Sequence, residues 1–120
     1  MRQRFEVIFL GDAYGFLQSL DDKSREKVIY NVDKSKYFID PKLFKKLHDE
    51  IWEFRTEFKK LQFRLFAFWD KTDNSETLVL ATHGVIKKTD KVSQTDIDKA
   101  NAIRILYFKQ KQKKGNEKQK

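Results

Sequence analysis

Three short runs dominate the middle of this 120-residue chain: Ile51 to Arg55 (IWEFR), Phe63 to Trp69 (FRLFAFW) and Thr77 to His83 (TLVLATH). Each alternates or runs apolar over strand length and is rich in the aromatic and aliphatic side chains that suit a pleated, half-buried surface. Two polar connectors separate them, Glu57-Phe58-Lys59-Lys60 and Asp70 to Glu76, both short enough for hairpins. The three runs are therefore predicted to form an antiparallel meander.

Around the meander the pattern changes. Arg4 to Leu10 alternates and then turns apolar, which predicts a strand near a sheet centre ending at Gly11-Asp12. From Asp12 as N-cap, Ala13, Phe16, Leu17 and Leu20 recur at helical spacing; after Asp21-Asp22 a second helix places Val28, Ile29 and Val32 inward. Asp40-Pro41 predicts a turn leading into a short helix or irregular segment over Lys42 to Leu47. Thr95 caps a last helix in which Ile97, Ala100, Ile103, Arg104 and Tyr107 share a stripe. The order strand, helix, helix, three strands, helix makes an α+β domain over residues 1–108, with helices packed on one curved antiparallel sheet. Its first strand must pair across the sheet rather than in a hairpin.

Eleven Phe, four Tyr and two Trp supply a core at this length, which excludes global disorder. With no Cys, disulfides, zinc–thiolate sites and cysteine nucleophiles are excluded, and with only His48 and His83 for metal work neither a metal nor a cofactor is expected. No run approaches the roughly 18 apolar residues that span a bilayer, so a cytoplasmic protein with no membrane partner is expected. The net charge is +8, and the segment 109–120, with six Lys and one Glu, carries +5 of it. That segment reads as a flexible basic tail or as a phosphate-attracting arm.

Candidate site residues follow from strand alternation. Ile51, Glu53 and Arg55 share one face and Trp52 and Phe54 the other; Arg64, Phe66 and Phe68 lie opposite Phe63, Leu65 and Ala67. A concave sheet would bring Arg55, Arg64, Lys87 and Lys88 toward one surface. Plainer readings exist for each: an ion pair with Glu53 for Arg55, a stem laid over aromatic rings for Arg64, edge protection for Lys87-Lys88, a hydrogen-bonded strand-end residue for His83 and a surface position for His48.

The segments Leu47 to Arg55 (LHDEIWEFR), Phe63 to Phe68 (FRLFAF), Leu78 to Thr89 (LVLATHGVIKKT) and Thr95 to Ala100 (TDIDKA) resemble, in order and spacing, the RelE/ParE toxin superfamily, and within it the phage-derived HigB-like branch. The resemblance implies a RelE-like fold and the toxin of a type II toxin-antitoxin pair. Its activity would be ribosome-dependent cleavage of mRNA by metal-free attack of a ribose 2′-hydroxyl on the adjacent phosphate. It also implies two partners, mRNA on the ribosome and a cognate helix-turn-helix antitoxin. By position, Arg64 would contact the scissile phosphate, Lys87 and Lys88 would stabilise it or donate a proton, Arg55 would bind substrate, and His83 would suit acid/base work. Val85 stands where the branch has Phe, and Ser93-Gln94 where a Pro often precedes the last helix. The same superfamily holds ParE-like inhibitors of DNA gyrase, so gyrase inhibition is the alternative, with an inactive phage-derived nucleic-acid-binding protein as a third reading.

Overall fold

The computed structural model describes residues 2–118 apart from Ser75, Asp90 and Val92. Its elements are β1 (Glu6–Phe9), α1 (Gly11–Ser19), α2 (Asp22–Ser35), β2 (Phe44–His48), β3 (Ile51–Phe58), β4 (Leu61–Trp69), β5 (Leu78–Lys87) and α3 (Gln94–Lys118). They form one mixed α+β fold, with a five-stranded sheet in the order β1-β5-β4-β3-β2 and three helices packed against it, consistent with a RelE-like fold.

The meander is β3-β4-β5, antiparallel throughout. Its first turn is tighter than the sequence suggests: β3 continues through Phe58, and Lys59 and Lys60 alone reverse the chain, both at positive φ (53° and 65°), as a two-residue hairpin turn requires. β1 joins the far edge parallel to β5, pairing Glu6 with Leu78 through Phe9 with Ala81, so the sheet is antiparallel from β2 to β5 and mixed at β1.

The segment Lys42 to Leu47 corrects the expectation of a short helix or irregular run, for residues 44–48 form an edge strand paired with β3. Phe44 and Leu47, three apart, would share a side of a helix but take opposite faces of a strand. Phe44 stacks on Phe54 at 4.3 Å in one core, whereas Leu47 packs on the other core with Ile51 and Phe66. Burial on both sides of the sheet decides for the strand.

Those two cores give each face its helices. Ala13, Leu17, Val28 and Val32 of α1 and α2 cover Phe54, Phe63, Leu65 and Ala67. Ile97 and Ala100 of α3 cover Ile51 and Phe66 on the opposite face. Ile29, expected inward, is exposed because Val28 and Val32 already fill the stripe toward β3.

The helix starts differ from expectation by a residue or two. α1 begins at Gly11 with Leu10 as N-cap, leaving Asp12 in the first turn. Asp21 caps α2, its carboxylate accepting from the Ser24 N–H at 2.7 Å. At α3 the Oγ of Ser93, rather than Thr95, accepts from the Asp96 N–H at 3.4 Å. α3 continues past Phe108 to Lys118, through most of the basic segment; Gln119 and Lys120 lie outside the described residues. Among the described residues no helix is long and apolar enough to cross a membrane.

Candidate functional site

The β3-β4-β5 register assembles a polar end on the face that α3 partly covers. It sets Arg55 opposite Arg64, Gln62 opposite Lys87, and Phe66 opposite both Glu53 and His83. Two arginines directly across an antiparallel pair repel each other. Glu53 relieves this: its Oε1 lies 3.3 Å from Nε of Arg55 and 3.7 Å from Nε of Arg64. The Glu53 and Arg64 side chains are only 4% and 5% exposed, so this pairing is desolvated and directional. The rest of the Arg64 fork is held within β4, Nη1 donating to the Phe63 carbonyl at 3.2 Å and Nη2 to Oε1 of Gln62. Both arginines line an open cleft of about 280 Å³, completed by Lys42, Thr56, Glu57 and Gln62.

The second half lies where β5 ends under the start of α3. Lys87 donates to the Lys91 carbonyl at 2.8 Å, and its Nζ lies 3.7 Å from Oδ2 of Asp96 and 5.9 Å above the Phe66 ring. His83 is buried and stacks on Phe66 at 4.8 Å, with Nε2 3.4 Å from Oδ1 of Asp96 and Nδ1 3.0 Å from the Thr82 hydroxyl. Thr82 is the extra residue of a β-bulge, since Phe66 pairs with His83 but Ala67 with Ala81. Burial holds the His83 pKa below its ordinary value; the hydrogen bond and charge of Asp96 oppose that shift without cancelling it. Val85 packs beside these groups on the cluster of Ile51, Phe66, Ile97 and Ala100.

Of the residues singled out from sequence, Arg55, Arg64, His83 and Lys87 share this face. Lys88 lies beyond the strand in an exposed bend and takes no part in these ion pairs. His48 is on the surface beside Asp49. Sequence reasoning passed over three contributors. Gln62, two residues before Arg64 on one strand face, was within reach of the alternation rule. Lys42 and Asp96 come from elements that only tertiary packing delivers. Among the described residues no three His, Asp or Glu side chains converge as a metal would require. Among the described residues, Arg55 and Arg64 pair with Glu53, and Lys87 with Asp96, so the arrangement sets guanidinium and ammonium groups against carboxylates on one face.

A family model described as phage derived protein Gp49-like (DUF891) matches residues 15–104, three quarters of the chain, and includes every residue of this arrangement. No curated protein and no solved structure matches the chain.

Proposed function

The chain belongs to the phage-derived Gp49-like family, and on that premise we propose that it is the toxin of a toxin-antitoxin pair, acting as a metal-independent endoribonuclease on mRNA at the ribosome. The observation that carries this reading is the pair Arg55 and Arg64, opposite each other and lining one cleft, with Lys87 on the same face. In 2′-hydroxyl attack, negative charge builds on the phosphoryl oxygens, and a planar guanidinium held in place by Glu53 and Gln62 suits that charge better than a mobile ammonium. Lys87, on the same face, would add a further cation and supply the proton for the departing 5′-oxygen.

The test is 5′-end mapping of a defined mRNA with and without translating ribosomes. The wild type is expected to cut only with ribosomes, and Arg64→Ala to cut about a hundred- to a thousand-fold more slowly, roughly 3–4 kcal/mol of lost transition-state stabilisation. An Arg64→Ala protein that keeps its thermal midpoint and cuts at the wild-type rate would remove Arg64 from the site.

One observation favours gyrase inhibition instead: Arg64 and Lys87 are already ion-paired, separately, with Glu53 and Asp96. A protein that leaves mRNA intact and blocks gyrase supercoiling would establish that reading.

A further inference from the structure

Lys87 ends β5, so its long side chain would sweep freely if nothing held it. Its anchors are the Lys91 carbonyl and Asp96, in the first turn of α3. Asp96 has a second partner, because its other oxygen faces Nε2 of His83. A carboxylate only accepts, so Nε2 carries the proton in that contact, and in the neutral ring Nδ1 accepts from the Thr82 hydroxyl. The Thr82 hydroxyl is also 3.2 Å from the Phe66 carbonyl. When the ring is protonated, Nδ1 donates to Oγ of Thr82 and the hydroxyl turns to that carbonyl, so both ring nitrogens keep a partner in either state. His83 itself is sealed, its side chain only 4% exposed, whereas those of Lys87 and Asp96, 15% and 19% exposed, reach solvent.

We propose that Asp96 is a positioning residue which, braced by His83, holds the Lys87 ammonium on the site's face, opposite the Gln62 that lines the cleft, and that His83 acts through Asp96 rather than on substrate. This rests on the nuclease reading above. It replaces a direct acid/base role for His83 with a relay from Thr82 through His83 and Asp96 to Lys87, and it makes docking of α3 a condition of activity. The groups facing His83 are Asp96 and Lys99 of α3 and Asp12 of α1, with Lys87 on its own strand and the Phe66 ring from β4. Asp96 and Asp12 favour the charged ring, Lys99 opposes it, and burial outweighs them.

The experiment uses the full chain carrying Asp96→Asn, Asp96→Glu or, as a control in the same helical turn, Asp98→Asn, an exposed residue that accepts from Gln94. Two readouts are taken: ribosome-dependent cleavage as a function of pH, and the His83 imidazole titration by nitrogen NMR. Asp96→Asn is expected to slow cleavage tenfold to about a hundredfold with a changed pH profile and to lower the His83 midpoint further. Asp96→Glu is expected to recover part of both effects, and Asp98→Asn to match the wild type. An Asp96→Asn protein with the wild-type rate and profile overturns the positioning role while leaving the nuclease reading standing. An unchanged His83 midpoint overturns the coupling whether or not the protein cleaves. A wild type that does not cleave removes the nuclease reading, and the role assigned to Asp96 goes with it.

Discussion

Single residues in this fold are constrained by what lies directly across the sheet from them. Gly84 pairs with Leu65 on β4, and a Cβ on it would sit 2.2 Å from Cδ2 of Phe16, whose ring lies against the bare strand. The glycine of the His83-Gly84 pair is thus needed for close approach of α1, not for an unusual backbone angle. Gly84→Ala is expected to lower stability by about 1–3 kcal/mol in urea unfolding, the usual cost of overpacking. Adding Phe16→Ala should make the pair of changes cost less than the sum of each alone; strict additivity would mean that the ring is not seated there. Glu53 carries a comparable constraint, since two arginines share its carboxylate. Alternation in the sequence put Glu53 and Arg55 on one face. That Arg64 would land opposite Arg55 was not legible, because the strand pattern specifies a face and leaves the register to the hairpin turn.

At the level of elements, α3 is attached at both ends of its contact with the sheet. Near its start Asp96 meets His83 and Lys87; further along, Tyr107 and Lys111 both donate to Oδ2 of Asp70 at 2.6 Å. Asp70, just after β4, is buried and also accepts from the Thr72 backbone and hydroxyl. Burial alone would raise its pKa, but the Lys111, Thr72 and Tyr107 donors bind the ionised form and hold it well below the carboxylate range. Burial, and then the bond to Asp70, push Tyr107 up to about 12. A depressed carboxyl contributes stability above its unfolded pKa near 4 and loses it as pH falls toward the folded value. A raised phenol contributes below its unfolded pKa near 10 and loses it as pH rises through the folded value. Docking of this part of α3 is therefore expected to be firmest between about pH 4 and 10, read as hydrogen-exchange protection of amides 107–111. Asp70→Asn should abolish the acid-side dependence and cost about 2 kcal/mol. Protection that falls in acid as steeply in Asp70→Asn as in the wild type would assign the effect elsewhere. The sequence placed Tyr107 on the helical stripe; it offered no sign that a residue of the β4-β5 connector would be its partner.

Across the whole molecule the charge is uneven, with +5 of the net +8 in residues 109–120. α3 carries much of that charge, and Lys109, Lys113 and Lys114 are exposed along it, while Lys111 is tied to Asp70. These lysines separate two roles. Replacing Lys109, Lys113 and Lys114 by Gln is expected to lower the salt dependence of single-stranded RNA binding by about two units of log–log slope, at roughly 0.7 per phosphate contact, with little change in stability. Truncation after Phe108 should reduce stability as well, because it also removes Lys111. A triple variant with the wild-type salt slope would show that the segment contributes nothing to RNA affinity. The chain's own pattern was sufficient for the meander, for the order of helices around it, for the cationic surplus and for the face on which Arg55, Arg64 and Phe66 lie. All of these depend on periodicity and composition within a segment. Tertiary structure alone decided that residues 44–48 are a strand, that β1 runs parallel to β5, that α3 covers the face opposite α1 and α2, and that Glu53 and Asp96 meet the basic residues. Each of these depends on which distant segments bury one another, and periodicity along one segment carries no information about its partner.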